Sequence, residues 1–364
     1  MILHYYFARR FLWVFLAVTA VFFALLTLVD LVEQMRRFDS SVGFGEVLRV
    51  TMLNTPEGLY QILPLIMILS TVTLFLSLAR SSEMVVARAS GRSALTALAA
   101  PVAVGLIIGL LAVAIGNPIV AATSKRYHDL RELYRNGGTS TLSIGQDGLW
   151  LRQGDANGQT VIRAARANPD ATVLFDVSFV TYLATGGPAR RIEAASATLK
   201  EGAWEIRNAK EWPLSRGQNP EEGTRKLGML TIPSTLTQDA IRDSFGKPSA
   251  VSVWDLPGYI SQLEDAGFSA RRHAVWLHME LARPMFLMAM VLVGAAFTMR
   301  HTRLGKTGLA VLAAIMLGFG LYYIRNFAQI LGENGQINPV LAAWAPPVAS
   351  VLLSLGLILN MEDG

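Results

Sequence analysis

The sequence predicts an α-helical membrane protein with six transmembrane helices and an all-β domain inserted between the third and fourth. Three observations predict this fold. Hydrophobic residues make up 52% of the 364 residues and charged residues only 16%, whereas about a quarter of a soluble domain is charged. Long apolar stretches occupy both ends of the chain. The middle instead has short alternating segments separated by glycine and proline.

Six windows have the roughly 20 apolar residues that a helix needs to cross a bilayer. They are Phe11 to Leu31, Leu59 to Ala79, Ala94 to Val120, His273 to Phe297, Leu309 to Leu331 and Val340 to Leu359. The first window is longer than a signal-peptide core and has no small-residue cleavage site, so we interpret it as a retained helix. Because six is an even number, both termini lie on the same side of the membrane.

The basic residues beside the spans predict which side that is. Short loops rich in Lys and Arg stay in the cytoplasm. One side has Arg9, Arg10, Arg80, Arg88, Arg92, Arg300, Arg303 and Lys306, and the other has Arg36, Arg37 and Arg49. We therefore expect cytoplasmic termini and an external middle domain. The net charge of +5 fits lipid headgroups better than nucleic acid, and the absence of cysteine excludes disulfides and thiolate metal sites.

The middle segment predicts a β-sandwich, a jelly roll or an open barrel. The expected strands are Thr141 to Leu151, Thr160 to Arg166, Thr172 to Leu183, Arg190 to Leu199 and Ala203 to Lys210. Such a domain serves either as a scaffold or as a holder for a hydrophobic ligand, and periodicity does not decide between them. Beyond it, Asp255 is a candidate N-cap for a short helix near the membrane surface, with Tyr259, Ile260 and Leu263 on its apolar face.

The loop after the second span predicts a short amphipathic helix. In RSSEMVVARASGRS, Ser81 or Ser82 is a candidate N-cap, Glu83 suits the first turn and Gly91 can end the helix. Such a helix lies on a lipid surface or docks into a partner's groove. An acidic residue among arginines favours the partner.

Charged residues inside spans are functional candidates because burying them in lipid is costly. Glu280 and Arg283 are three positions apart in the fourth span, and Arg325 lies in the fifth. Glu280 and Arg325 have similar predicted depths, so we expect them to form an ion pair; the alternative is that each reaches the interface separately.

Catalytic motifs are nearly absent from the sequence. Gly305 to Thr307 reads GKT, but a phosphate-binding loop requires a glycine where Arg300 stands. His278 and Glu280 do not form a zinc-binding HExxH motif. We therefore expect this chain to catalyse no covalent reaction itself.

Five motifs together resemble permeases of the LptF/LptG family, which export lipopolysaccharide as part of an ABC transporter. In chain order they are LVDLVEQMRR, SEMVVARASG, GLWLR, LGFGLYYIRNFAQILGENG and PVLAAWAP. The last two are more similar to the LptG branch than to LptF. The resemblance covers essentially the whole chain.

The resemblance implies a bacterial inner-membrane subunit with residues 1–135 and 253–364 in the membrane half and a periplasmic, jelly-roll-like domain at 136–252. The implied partners are an LptF-like permease, an LptB-like ATPase dimer, an LptC-like membrane protein and an LptA-like periplasmic bridge. ATP and Mg would bind the ATPase, so no cofactor and no enzymatic activity are expected here. The alternative is a membrane-anchored scaffold or sensor whose external domain binds a protein.

The resemblance also implies roles for individual residues. Residues 81–92 match the coupling helix that seats in the ATPase, with Glu83, Arg88 and Gly91 as the coupling residues. The first and fifth spans line the lipid cavity, where Arg36 and Arg37 would meet lipid A phosphates. Asp30, also near the cavity mouth, is assigned no lipid contact.

Overall fold

The computed structural model describes residues 2–37, 43–81, 83, 94–136, 142–145, 148–155, 158–168, 172–183, 187–214, 221, 223–234, 236–237, 247–265, 268–299 and 307–362. The chain forms two compact units. The membrane unit comprises Met1–Tyr134, Ser249–Leu256 and Arg271–Gly364, and the β unit comprises Arg135–Pro248 and Pro257–Ala270.

Apolar helices dominate the membrane unit. The described α-helices are α1 (Ile2–Arg37), α2 (Phe44–Gln61), α3 (Leu63–Arg80), α4 (Ala94–Leu111), α5 (Asn117–Asn136), α6 (Leu256–Asp265), α7 (Arg271–Thr298), α8 (Thr307–Glu333) and α9 (Pro339–Glu362). A five-residue π-helical segment, Ala112–Gly116, joins α4 to α5 without a break.

Six membrane-spanning helices are confirmed within the described residues. They are Leu3–Arg37, Leu63–Arg80, Thr96–His128, Arg271–Thr298, Gly308–Glu333 and Pro339–Asn360. The second span begins later than predicted because the chain leaves helical geometry at Ile62 and restarts with Pro64 in the first turn of α3, a position that favours proline. The sequence pattern did not predict α2, whose polar residues hid its helical period.

The core of the membrane unit is built around α7. Helices α3, α4, α8 and α9 all pack against α7, whose Phe286, Leu287 and Met290 are buried in the common core. The α4 helix approaches closely because Gly109 has no side chain: a Cβ there would lie 2.6 Å from the Pro284 Cα. Small residues allow such close helix approach in membranes.

The inserted domain is all-β, as predicted. Its described strands are β1 (Leu142–Gly145), β2 (Gly148–Asp155), β3 (Gly158–Ala167), β4 (Val173–Leu183), β5 (Pro188–Lys200), β6 (Ala203–Pro213) and β7 (Arg225–Pro233). They form one antiparallel sheet in the order β1 to β7, so the described strands have meander connectivity. The first predicted strand is a hairpin of two strands, and β7 was not predicted because most of its residues are exposed.

A row of residues crosses five neighbouring strands where the side-chain alternation shifts. Neighbouring strands pair in the same register on both sides of the row, but the residues of the row itself are not paired in the ladder. Asp176 and Asn208 in this row have φ of 53°. Buried residues are two apart along each strand but three apart across the row, as at Ala164 and Ala167. The row consists of Ala165, Asp176, Ala195, Asn208 and Gly228. The row thus adds one residue to each of the five strands, and the shift in alternation keeps the apolar side chains on one face of the sheet.

Helix α6 covers part of the apolar face of the sheet. It follows Asp255 as predicted, and its Leu263 is buried in the core of the β unit together with Phe268. Tyr259 and Ile260 pack against the same core. The apolar face of this amphipathic helix therefore contacts protein.

Candidate functional site

The predicted site residues lie in three places in the membrane unit. Of the predicted coupling residues, Arg88 and Gly91 lie outside the described residues, and Glu83 is described. The two predicted lipid-phosphate contacts are in the last turn of α1. The predicted intramembrane pair lies in α7 and α8.

Glu83 is bound to the N-terminal part of α1. Arg10 Nη1 donates to both carboxylate oxygens of Glu83 at 2.8 Å. The Tyr6 hydroxyl donates to Oε2 at 2.9 Å, and the Ser81 hydroxyl donates to Oε1 at 2.7 Å. The carboxylate that the family resemblance implied for an ATPase contact is thus held by residues of its own chain.

These contacts keep Glu83 ionised. Partial burial raises its pKa, but the hydrogen bonds from Arg10, Ser81 and Tyr6 and the positive charge of Arg10 together lower the pKa below the ordinary value. A charged carboxylate accepts stronger hydrogen bonds than a neutral one. At neutral pH, the link between this loop and α1 is therefore an ion pair.

Arg36 and Arg37 end α1 with both side chains exposed. Arg37 forms an ion pair with Glu33, one turn earlier, and Arg36 has no ion pair among the residues that the structure describes. An exposed pair of this kind contributes at most about 1 kcal/mol. Both guanidinium groups therefore remain available to an anion.

A buried polar contact that sequence reasoning missed joins the same end of α1 to α5. Gln34 is buried and donates from Nε2 to the Tyr127 hydroxyl at 3.0 Å and to Asp30 Oδ1 at 3.2 Å. Asp30 thus has a hydrogen-bond partner within the chain. In the sequence, Gln34 looked like one polar residue among several at a helix end.

Glu280 lies at the centre of a buried polar cluster between α2 and α7. Its side chain is 0% exposed and accepts hydrogen bonds from Arg283 Nη2 at 2.5 Å and Nε at 3.0 Å. The Tyr60 hydroxyl of α2 also donates to it. The Arg283 guanidinium lies 3.9 Å from the centre of the Tyr60 ring. The cluster satisfies both charges inside the protein.

The predicted ion pair between Glu280 and Arg325 is wrong. Residues three positions apart on a helix are neighbours, so Arg283 reaches the carboxylate without any movement of α8. Arg325 is 6% exposed, and its guanidinium lies 5.2 Å from the centre of the Phe286 ring. Its Nε and Nη2 atoms have no hydrogen-bond partner in the part of the chain described.

The segment Ser249–Leu256 is hydrogen-bonded to α5 and to the π-helical segment that precedes α5. The Val253 amide donates to Asn117 Oδ1 at 2.7 Å. The Trp254 indole donates to the Ala114 carbonyl at 3.2 Å, within the π-helical segment. Such segments release a carbonyl from the helical ladder, which leaves it able to accept the indole N–H.

Two of the six spans bury little of their surface in the chain. Only 6% of the most apolar window is buried in α1 and 22% in α8, compared with 78% in α7. Their large exposed apolar residues include Leu12, Trp13, Leu16, Leu25, Leu28 and Val29 of α1, and Leu312, Met316, Tyr323, Ile324 and Phe327 of α8. These faces are suited to lipid or to another membrane chain.

The β unit has a filled apolar core and an open polar groove. The core includes Phe179 and Trp204, whose ring centres lie 6.3 Å apart in an edge arrangement. A groove of about 500 Å³ follows the shifted row, and its charged lining comprises Arg163, Asp176, Arg191 and Glu193. In the described arrangement, the apolar residues that suggested a ligand holder are packed against each other.

Comparison with known proteins identifies similar chains. The family model described as "Lipopolysaccharide export system permease LptF/LptG" matches residues 5–360. A lipopolysaccharide export system permease protein LptG from Escherichia coli strain K12 is 25% identical over 320 residues, which cover 85% of this chain and 84% of that protein. The protein of the same name from Haemophilus influenzae strain Rd is 25% identical over 346 residues, 92% of each chain.

Proposed function

We propose, from the premise that the chain belongs to the lipopolysaccharide export permease family LptF/LptG, that it extracts lipopolysaccharide from the outer leaflet of the bacterial inner membrane. The family match over residues 5–360 carries the proposal, because it includes all six apolar helices and the β unit. The chain is a multi-pass membrane permease with a role in lipopolysaccharide transport.

The proposed topology has both termini in the cytoplasm and the β domain in the periplasm. It is supported by the excess of Lys and Arg beside the cytoplasmic ends of the spans. The membrane half then comprises residues 1–135 and 253–364, and the periplasmic domain residues 136–252. The loop at residues 81–92 faces the cytoplasm in this topology, on the side where ATP is available.

The proposed lipid cavity forms between α1 and α8 of this chain and the matching helices of an LptF-like permease. The exposed apolar faces of α1 and α8 support this arrangement, because such faces need lipid or protein contacts. Arg36 and Arg37 then lie at the mouth of the cavity, where arginine pairs well with lipid A phosphates.

Energy for extraction comes, in this proposal, from an LptB-like ATPase dimer that binds ATP and Mg. This chain contributes the coupling helix at residues 81–92, with Glu83, Arg88 and Gly91 as the coupling residues. The anchoring of Glu83 to α1 supports a mechanical role for this loop. The chain itself acts as a permease and carries out no hydrolysis.

The extracted lipid passes to the periplasmic β domain, beside an LptC-like protein, and then to an LptA-like bridge. Each CH₂ exposed to water costs about 0.8 kcal/mol, so the acyl chains need a continuous apolar route. The apolar face of the sheet can supply it. Because Leu263 and Phe268 are buried in that core, entry of an acyl chain requires these side chains to move.

Reconstitution of the complex tests the proposal. The chain is purified with LptF-like, LptB-like and LptC-like partners, placed in vesicles with lipopolysaccharide, and supplied with ATP and an LptA-like acceptor. We expect ATP-dependent transfer of lipopolysaccharide to the acceptor. A complex that assembles and hydrolyses ATP without any transfer would favour the scaffold or sensor function instead.

A further inference from the structure

The first helix is packed at one end and open along most of its length. Phe7, Phe11 and Phe15 recur every four residues near the N-terminus and are buried in the membrane core. Beyond them, the only buried α1 residue that the structure describes is Gln34. The N-terminal end of α1 is therefore anchored in the membrane core, and Gln34 joins its other end to α5.

Arg10 lies at this packed end and makes a closed polar cluster with Tyr6 and Glu83. Arg10 Nη1 donates to the Tyr6 hydroxyl at 2.6 Å and to both Glu83 oxygens at 2.8 Å, and the Tyr6 hydroxyl donates to Glu83. Each member of the cluster contacts the other two. The cluster joins α1 to the loop after α3 by charge-assisted hydrogen bonds, which are about twice as strong as neutral ones.

We propose that Arg10 is a positioning residue that transmits displacement of the coupling loop to α1. The proposal rests on the proposed function, in which residues 81–92 seat in the ATPase. Among the described residues, that loop is connected to the membrane helices at three places: the peptide chain joins it to α3 and to α4, and the Glu83 carboxylate binds Arg10 of α1.

The connected helices differ in how firmly the chain holds them. In α3, 61% of the most apolar window is buried, and in the span that contains α4 39%, compared with 6% in α1. A buried, close-packed helix resists displacement because its neighbours must move with it. The open helix therefore takes up the movement, and the Arg10 to Glu83 ion pair carries it from the loop to α1.

A purely structural role is a poor explanation for this ion pair. The Arg10 and Glu83 side chains are 28% and 33% exposed, so water solvates either charge if its partner is removed. The three buried phenylalanines hold the helix end in place without it. Loss of Arg10 should therefore leave folding intact but separate the movement of the coupling loop from the movement of α1.

The first test measures lipopolysaccharide transferred per ATP hydrolysed by the reconstituted complex. For Arg10→Gln we expect a ratio about fivefold lower, with the ATPase still bound, as removal of a typical coupling energy would give. The charge-swapped Arg10→Glu/Glu83→Arg double variant should recover part of the loss. The control is Arg9→Gln, because Arg9 is exposed and has no ion pair among the described residues.

A wild-type ratio for Arg10→Gln, or a swap no better than Arg10→Glu alone, would overturn the inference. Absence of transfer by the wild-type complex would instead contradict the proposed function.

A second measurement does not depend on lipopolysaccharide. Because the chain has no cysteine, spin labels at Leu28→Cys and Leu281→Cys, both exposed positions, report the distance between α1 and α7.

Addition of ATP is expected to change the distance between these labels in the wild-type complex and in Arg9→Gln. The change should be lost in Arg10→Gln. If ATP leaves the distance unchanged in the wild-type background, or shifts it equally in Arg10→Gln, then Arg10 does not drive α1.

Discussion

Helices α1 and α7 show that an apolar sequence does not by itself indicate burial within a protein. The most apolar window of α1 has a mean hydropathy of 2.6 and is 6% buried, whereas that of α7 has a mean hydropathy of 1.7 and is 78% buried. The less apolar helix is the interior one. Charged side chains inside a membrane need protein partners, and the interior of the unit supplies them for Glu280 and Arg283.

Helices α7 and α1 have different structural roles. α7 holds the unit together, and its close neighbours include Gly109 of α4. α1 keeps an apolar surface for lipid or a second permease. Five predictions test this division, from the largest expected effect to the smallest.

The largest effect is expected from removing the buried carboxylate. Glu280→Leu leaves Arg283 as an unpaired buried charge, which should lower the free energy of unfolding by about 3–5 kcal/mol. Equilibrium unfolding in detergent measures this change. The control is Glu33→Leu on α1, whose exposed ion pair should contribute at most about 1 kcal/mol; equal losses from the two variants would contradict the comparison.

Adding one methyl group should distinguish packed from open helices. Gly109→Ala forces a Cβ against the Pro284 backbone and should reduce stability by about 1–3 kcal/mol. Gly320→Ala on α8 meets no atom within 4 Å, so it should be neutral or stabilise by about 0.5–1 kcal/mol. Thermal unfolding of the two variants provides the measurement, and a destabilised Gly320→Ala would show that α8 is packed after all.

The two buried arginines should respond in opposite ways to replacement by leucine. Arg283→Leu deprives Glu280 of its partner and should be strongly destabilising. Arg325→Leu removes a guanidinium with two unsatisfied donors, so it should leave stability within about 1 kcal/mol of wild type or raise it. Unfolding curves of the two single variants suffice, and a large loss for Arg325→Leu would indicate a partner for that residue.

The link at Glu83 should have a small effect on stability that depends on pH. Its pKa is lowered in the folded protein, so its contribution is present above the ordinary glutamate pKa and declines as the pH falls through the lowered value. At neutral pH, Glu83→Gln should reduce stability by less than about 1 kcal/mol, since the pair is partly exposed. Unfolding midpoints of both proteins across acidic pH should converge; a difference that persists in acid argues against the ion pair.

The smallest effect on stability should come from the open face of α1. Leu28 is 63% exposed, so Leu28→Ala should change the unfolding free energy by less than about 0.5 kcal/mol. In contrast, Phe11→Ala at the packed end should cost about 3–5 kcal/mol. Co-purification with an LptF-like permease should be weaker for Leu28→Ala if this face binds it; an unchanged yield would assign the face to lipid.

Much of the fold was predictable because it depends on local sequence. Apolar run length predicted six spans, and the change to alternating residues predicted the β domain. The α2 helix was missed because its residues are too polar to resemble a span. Strand β7 was missed because its exposed residues, Met229 among them, show little alternation. The shift in the sheet is visible in the sequence only as a step of three between apolar residues such as Leu174 and Val177.

Less of the candidate site could be predicted. The sequence identified Glu83, Glu280 and Arg325 as unusual, since each is a charge in or next to an apolar segment. It did not identify their contacts. Arg325 was predicted as the partner of Glu280, a pairing that depends on the position of α8, whereas the observed partner Arg283 lies three positions away on the same helix. The partner of Glu83 lies 73 positions earlier in the chain, and no local pattern connects the two.

The sequence by itself determined the number of spans, the inserted all-β domain and the motifs shared with the permease family, because hydropathy, alternation and short motifs are properties of neighbouring residues. Only the tertiary structure decided which apolar helices are buried, which charges pair, and that Arg10 binds Glu83. Those outcomes depend on the packing of segments far apart in the chain. An apolar side chain has favourable environments in lipid and in a protein core alike, so composition cannot choose between them; packing and the need to satisfy buried charges do.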